Sequence, residues 1–329
     1  MRLNPEPQGA FGTLRLLLAC VVVWFHAGYY WCGVSEGVSA VVVFLIVSGY
    51  AMTGLWHRVF AASDRPVWRF YVDRALRLGP QYYLWLGFAI VIGFVLKLRS
   101  VAELSTVKAA VVAAAHLLVV PLDFHPWIPQ LQHWIFNPPA WTLGLEVSFY
   151  LVFPLLMIKP WLIWPVVLGS LLVTLGGVLE FYNSYVFGFQ LLCGSLVYFA
   201  LGYAIYMRDI KLGTVIAGGL ALCSYAAWSQ GYFNPNVPVG WVVGAVLVLG
   251  LSYLRPRRWD SALGNASYGA YLAHWSLLSL ARSPYLVSRW GWFTLAMSAV
   301  AMAVSLGFVG YWVAERPVAL WRRRLRLHA

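Results

Sequence analysis

The hydrophobic positions of this chain fall in long unbroken blocks. They show neither the alternation of a half-buried strand nor the narrow stripe of a surface helix. Blocks of spanning length lie near 12–31, 37–56, 81–98, 141–158, 161–178, 186–206, 212–230, 240–254, 263–281 and 291–314. A helix needs about 20 mostly apolar residues to cross the hydrocarbon core of a bilayer, so the pattern predicts ten transmembrane helices. A further apolar stretch, Val107 to Leu122, has only sixteen residues and is expected to be re-entrant or interfacial on the outer side. The loop behind it, DFHPWIPQLQHWIFNPPA, is rich in Pro, Trp and His and is a candidate lid or binding surface. The largest inner loop covers 57–80. In it, Trp68 to Leu78 has helical spacing and Pro80 marks the start of the third span.

Charge then orients the blocks. Ten spans put both termini on one side. Seventeen Lys and Arg fall on that side and five on the other, with Arg15 inside the first span. The positive-inside rule makes the termini cytoplasmic. If 107–122 spanned, every later charge would change sides and the bias would largely vanish. The same placement explains the net charge of +12 without nucleic acid. With 61% hydrophobic and 10% charged residues, no large soluble domain fits. The fold class is an all-α polytopic membrane protein, a single transmembrane domain over 1–329 in the inner (plasma) membrane. The first block lacks a small-residue cleavage site and reads as a retained helix, not a signal peptide. Cys20, Cys32, Cys193 and Cys223 are scattered with no CxxC, and are expected to be buried thiols. No internal repeat is visible.

Against this apolar background a few polar residues stand out. Arg15 and His26 are eleven residues apart, which is three turns plus about 20°, so both lie on nearly one helix face, about 16 Å apart along it. Ionisable groups at bilayer depth usually face a protein interior or a wet cavity. A neutral imidazole at His26 is suited to take a proton from a hydroxyl near neutral pH, or else is a core histidine. Of eleven acidic residues, only Glu146 lies well inside a predicted span, with Tyr150 one turn on. Arg74 and Arg77 share a helix face and are candidates for a phosphate fork, or are ordinary positive-inside charge. Ser48 and Gly49 end the second span and allow a close helix approach or a local break. No Walker loop, HExxH or dense His/Cys/Asp cluster is present, so a P-loop ATPase and a zinc protease are unsupported.

In these motifs the chain resembles the integral-membrane acyltransferase-3 family, which includes bacterial O-acetyltransferases of surface and exported polysaccharides. Arg15 and His26 match its R-x10-H. GVSAVVVFLIVSGY is similar to its second helix, DRALRLGP carries its RxxR, and WTLGLEVSFYLVFPLL its glutamate segment. SYGAYLAHW and VAERP are similar to its closing elements. Thr142 stands where serine is usual, Val147 and Ser148 replace a polar pair, and Val43-Phe44 stands for a Phe pair. The resemblance implies a ten-helix enzyme passing an acyl group, commonly acetyl from acetyl-CoA, to a carbohydrate hydroxyl. Arg74, Arg77 and Ser48, with Arg15, would serve the donor. His26 would act as base or as acyl acceptor, with Glu146 orienting the imidazole or holding it protonated. Tyr150, Tyr271, His274 and Trp141 would line the substrate cavity. The acceptor is expected to be a lipid-linked glycan or exported polysaccharide, and polysaccharide-assembly proteins are candidate partners. No metal, nucleic acid or fused extracellular hydrolase-like domain is expected. The rival readings are a proton-coupled transporter or flippase of a glycan, and a non-catalytic assembly subunit.

Overall fold

The computed structural model describes residues 9–29, 35–96, 105–131, 134–231, 234–282 and 284–327. Arg2, Cys32, Lys97, Arg99, Gln132 and His133 lie outside them, as does the side chain of Arg326. Among the described residues the regular structure is helical throughout, with no strand. In chain order the helices are α1 (Gly12–His26), α2 (Glu36–Leu55), α3 (Pro66–Val95), α4 (Thr106–Leu118), α5 (Trp141–Ile158), α6 (Ile163–Val178) and α7 (Leu192–Met207). They continue with α8 (Ile210–Ser229), α9 (Asn236–Ser252), α10 (Arg258–Ala281), α11 (Pro284–Trp290), α12 (Trp292–Gly310) and α13 (Arg316–Leu327). A π-helical turn, Tyr311–Glu315, joins α12 to α13.

Among the described residues, six helices are long and apolar enough to cross a membrane, and four more are apolar but shorter. Their uncovered faces are apolar: Leu168 and Leu172 on α6, Leu222 on α8, Val246 on α9 and Met302 on α12 are all exposed. Such faces are compatible with lipid and costly in water, and the chain is a membrane protein. Inside, α1, α10 and α12 pack on one another, α2 packs on α1, α7 and α9, and α3 lies against α10 and α5. The α2–α7 contact depends on two glycines. A Cβ at Gly49 would sit 2.0 Å from the Phe199 carbonyl oxygen, and one at Gly202 2.0 Å from that of Ile46. Gly49 therefore serves close approach, and α2 continues unbroken through it.

Three expectations need correction. The inner loop of 57–80 is largely helix, because α3 starts at Pro66 and runs 30 residues straight through Pro80. Proline removes one backbone donor, yet the helix continues, and next to Pro80 it is tied to α10: the Tyr268 hydroxyl donates to the Leu78 carbonyl at 3.1 Å. The extended α3, and the helical path from α12 into α13, also bury Asp73 and Glu315 within helices. Glu146 is thus not alone as an intrahelical acid. Of the described cysteines only Cys223 is buried; Cys20 is half-buried and Cys193 exposed.

The short apolar stretch forms α4, which has 13 residues, well below spanning length. The hydroxyls of Tyr82 and Tyr83, mid-way along α3, donate to the carbonyls of His116 at 3.0 Å and Leu117 at 2.7 Å. The helix ends at Val119, whose φ of 67° is unusual for a β-branched residue. The loop beyond buries Asp123 completely, and no described donor reaches its carboxylate oxygens. Burial pushes this carboxyl up to about 8, from an ordinary 3.8. The folded protein keeps a proton there that the unfolded chain has released, so stability falls as pH rises between those two values. Asp123→Asn, always uncharged, is expected to flatten that dependence and to raise the melting temperature at pH 9 by at least about 3 °C. Thermal unfolding of both proteins across pH checks it; parallel curves would refute it.

Candidate active site

The site begins with the register of α1 on α10. Asp260, in the first turn of α10, caps the start of α1. Its carboxylate accepts from the backbone N–H of Gly12 at 3.1 Å and Thr13 at 2.8 Å, and from the Thr13 hydroxyl at 2.8 Å. A carboxylate at a helix N-terminus satisfies orphan donors and opposes the helix dipole. The helices then run parallel. At their far ends His26 meets His274 with the same sequence separation, 248 residues, as Gly12 and Asp260. Asp260→Ala is expected to cost about 1–2 kcal/mol of stability and, by letting α1 slip, to lower turnover about tenfold or more. Melting and activity measurements on the variant check both.

His26 Nδ1 lies 2.9 Å from His274 Nε2, and the rings stack with centroids 5.0 Å apart. His274 is fully buried, and its Nδ1 is 2.6 Å from the Tyr271 carbonyl oxygen. A carbonyl only accepts, so His274 Nδ1 carries the proton and its Nε2 presents a lone pair. His26 Nδ1 must then be the donor between the rings. This leaves His26 Nε2 as a basic nitrogen with a fixed ring orientation. Around it, Trp275 packs edge-on to His26, and Arg282 donates to the His26 carbonyl at 2.8 Å.

A cavity of about 120 Å³ runs along the same stripe, lined among others by Arg15, Ser48, Arg74, Arg77, Glu146 and Tyr150. Phe44 and Tyr271 line it on the side toward the histidines, and Tyr271 lies ring to ring with His274 at 5.7 Å. Tyr271 is held in place: its hydroxyl is 2.8 Å from Thr142 Oγ1, which donates to the Pro139 carbonyl at 2.9 Å. Glu146 Oε1 accepts from Tyr150 and, at 3.2 Å, from Ser48. Arg15 is half-buried, and its guanidinium has no hydrogen-bond or ion-pair partner among the described residues. Arg74 is paired with Asp73 and Arg77 with Glu315, which Gln81 also reaches at 2.8 Å. The cavity thus offers one unpaired and two paired guanidiniums facing a single carboxylate, an environment that suits an anionic ligand.

The sequence profile of the acyltransferase domain family matches residues 9–312. The chain belongs to this acyltransferase family. Among curated proteins it is similar to the exopolysaccharide production protein ExoZ of Rhizobium meliloti, 26% identical over 89% of this chain and 93% of that protein. It is similar to nodulation protein 10 of Rhizobium leguminosarum bv. viciae, 24% identical over 89% of each. It is also similar to the peptidoglycan O-acetyltransferase OatA of Listeria monocytogenes, 21% identical over 81% of this chain and 49% of that protein. No solved structure is significantly similar. The protein is an acyltransferase enzyme.

The acyltransferase brings most of the residues singled out in its sequence to one tract. Arg15, Ser48, Arg74, Arg77, Glu146, Tyr150 and Tyr271 line the cavity, and His26 and His274 lie just beyond it. Two assignments change. The partner that orients the His26 ring is His274, whereas Glu146 binds Ser48 and Tyr150. Trp141 packs against Phe189 and does not line the cavity. At about 100° per residue, Thr142 and Glu146 share the cavity face of α5 and Trp141 points away from it. The sequence pattern does not single out Asp260, Gln81 or the pairing of Asp73 with Arg74 and of Glu315 with Arg77. A trace of the last was visible, since Asp73 directly precedes the RxxR pair and Glu315 opens the closing Glu-x-Pro.

Proposed function

We propose that this acyltransferase moves an acyl group, acetyl first, from acyl-CoA to a hydroxyl of a cell-surface or exported carbohydrate. The observation that carries the reading is the histidine pair: one imidazole nitrogen left free and oriented, at the end of a stripe that begins in an arginine-lined cavity. The acyltransferase family and similarity to an exopolysaccharide production protein and a peptidoglycan O-acetyltransferase support a carbohydrate acceptor. In this reading the protein lies in the inner membrane with ten spans, α4 re-entrant and both termini cytoplasmic, a topology that the basic loops support.

In this reading Arg74, Arg77 and Arg15 hold the anionic phosphates of the donor, and the thioester arm extends along the cavity toward Tyr271. His26 Nε2 takes the proton of the acceptor hydroxyl as its oxygen attacks the thioester carbonyl carbon. The C–O bond forms, the C–S bond breaks, and the imidazolium returns the proton to the departing thiolate. His274 steadies the developing positive charge by accepting from His26 Nδ1 throughout.

The test uses the purified full chain in lipid nanodiscs with acetyl-CoA and candidate glycan acceptors. Free CoA thiol is expected to appear in step with one acetyl mass increment per modified sugar. Movement of glycan across vesicles with no thiol release would instead support the transporter reading.

A further inference from the structure

Arg322 belongs to none of the motifs above. It lies on α13, beyond the matched family region, yet it reaches both carboxylates that hold the cavity arginines. Its Nε is 3.4 Å from Asp73 Oδ1 and its Nη1 is 3.2 Å from Glu315 Oε1. The sharing is divided oxygen by oxygen. On Asp73, Oδ2 goes to Arg74 and Oδ1 to Arg322. On Glu315, Oε2 goes to Arg77 and Oε1 to Arg322. The side chains of Asp73 and Glu315 are 0% and 4% exposed, and that of Arg322 12%.

This arrangement bears on how Arg74 and Arg77 become available to a ligand. A buried carboxylate stripped of its cation is strongly unfavourable. With only two arginines and two carboxylates, each guanidinium would be held by its partner and the cluster would be neutral. The third cation makes the cluster net positive and leaves each carboxylate with a second guanidinium. We propose that Arg322 is a positioning residue for donor binding: it stays on Asp73 and Glu315 while Arg74 and Arg77 turn to donor phosphates. The C-terminal helix is thereby part of the donor site without touching the donor. This inference rests on the reading that the donor carries phosphates.

The experiment compares two donors in nanodiscs, acetyl-CoA and S-acetylpantetheine, which has the same thioester arm and no phosphate. Arg322→Gln is expected to raise KM for acetyl-CoA about tenfold, the loss of roughly one charge-assisted interaction. Its kcat, and its KM for S-acetylpantetheine, should match wild type. Arg322→Lys, which keeps the charge but not both bonds, should fall between wild type and Arg322→Gln with acetyl-CoA, and so gives a reading even if the glutamine variant does not fold. An equal rise in KM with both donors, or no rise with either, overturns the proposal. Failure of the wild-type protein to bind CoA is a different result: it removes the CoA-donor reading and this inference with it.

Discussion

His26→Gln is expected to lower kcat for acyl transfer by about 10²- to 10⁴-fold, the usual contribution of a positioned general base. CoA binding and melting temperature should stay near wild type. The reason is the division of labour in the tract. His26 lies outside the cavity wall and takes no part in the ion cluster, so its loss removes the basic nitrogen and leaves the donor groups in place. Glutamine retains a donor to His274 Nε2, so the buried His274 is not left unpaired. Turnover, CoA titration and thermal melting on the one variant separate these effects. A variant with wild-type kcat would rule out His26 as the base. A variant with weakened CoA binding would mean that the histidine pair shapes the donor cavity.

The largest stability effect is expected at Glu315. Glu315→Ala should destabilise the protein by about 3–5 kcal/mol, the range found when one member of a buried ion pair is removed. Glu315 accepts from Arg77, Gln81 and Arg322 at once, and is 3% exposed as a residue. Its loss leaves Arg77 without its counter-ion and places two guanidiniums in like-charge contact. The double variant Arg77→Met/Glu315→Leu removes both charges and fills the space with apolar atoms, so most of the stability should return. Donor binding should not return with it, because Arg77 lines the cavity. A double variant as unstable as the single one would show that Gln81 and Arg322 depend on this carboxylate more than Arg77 does. Melting curves of the three proteins, with CoA titrations of the stable ones, decide between these outcomes.

Several features of this enzyme were legible without coordinates, each for a local reason. Arg15 and His26 share a helix face because eleven residues make a near-integral number of turns, and both border the same tract in the structure. α4 is short because the apolar stretch between Ser105 and Pro121 offers no more helix. The RxxR spacing placed Arg74 and Arg77 on one face of α3, and Glu146 with Tyr150 one turn apart on α5. Motif order through most of the chain gave the family. By contrast, the full length of α3 is not legible locally: Pro80 marks a helix boundary in the sequence, whereas the folded helix runs through it and is tied to α10 at Leu78.

What the sequence determined alone is what hydropathy, helical period and short motifs encode: an all-helical membrane protein, its polar stripe, and the acyltransferase family. The tertiary structure decided the partners. That His26 is oriented by His274, that Asp260 caps α1, and that Arg322 shares its carboxylates with the RxxR arginines depend on residues as far as 249 positions apart in the chain. Helix periodicity carries information over a few turns, whereas contacts between helices follow from how their faces pack. In a low-dielectric interior it is those contacts that set which charges are neutralised and which nitrogen remains free to accept a proton.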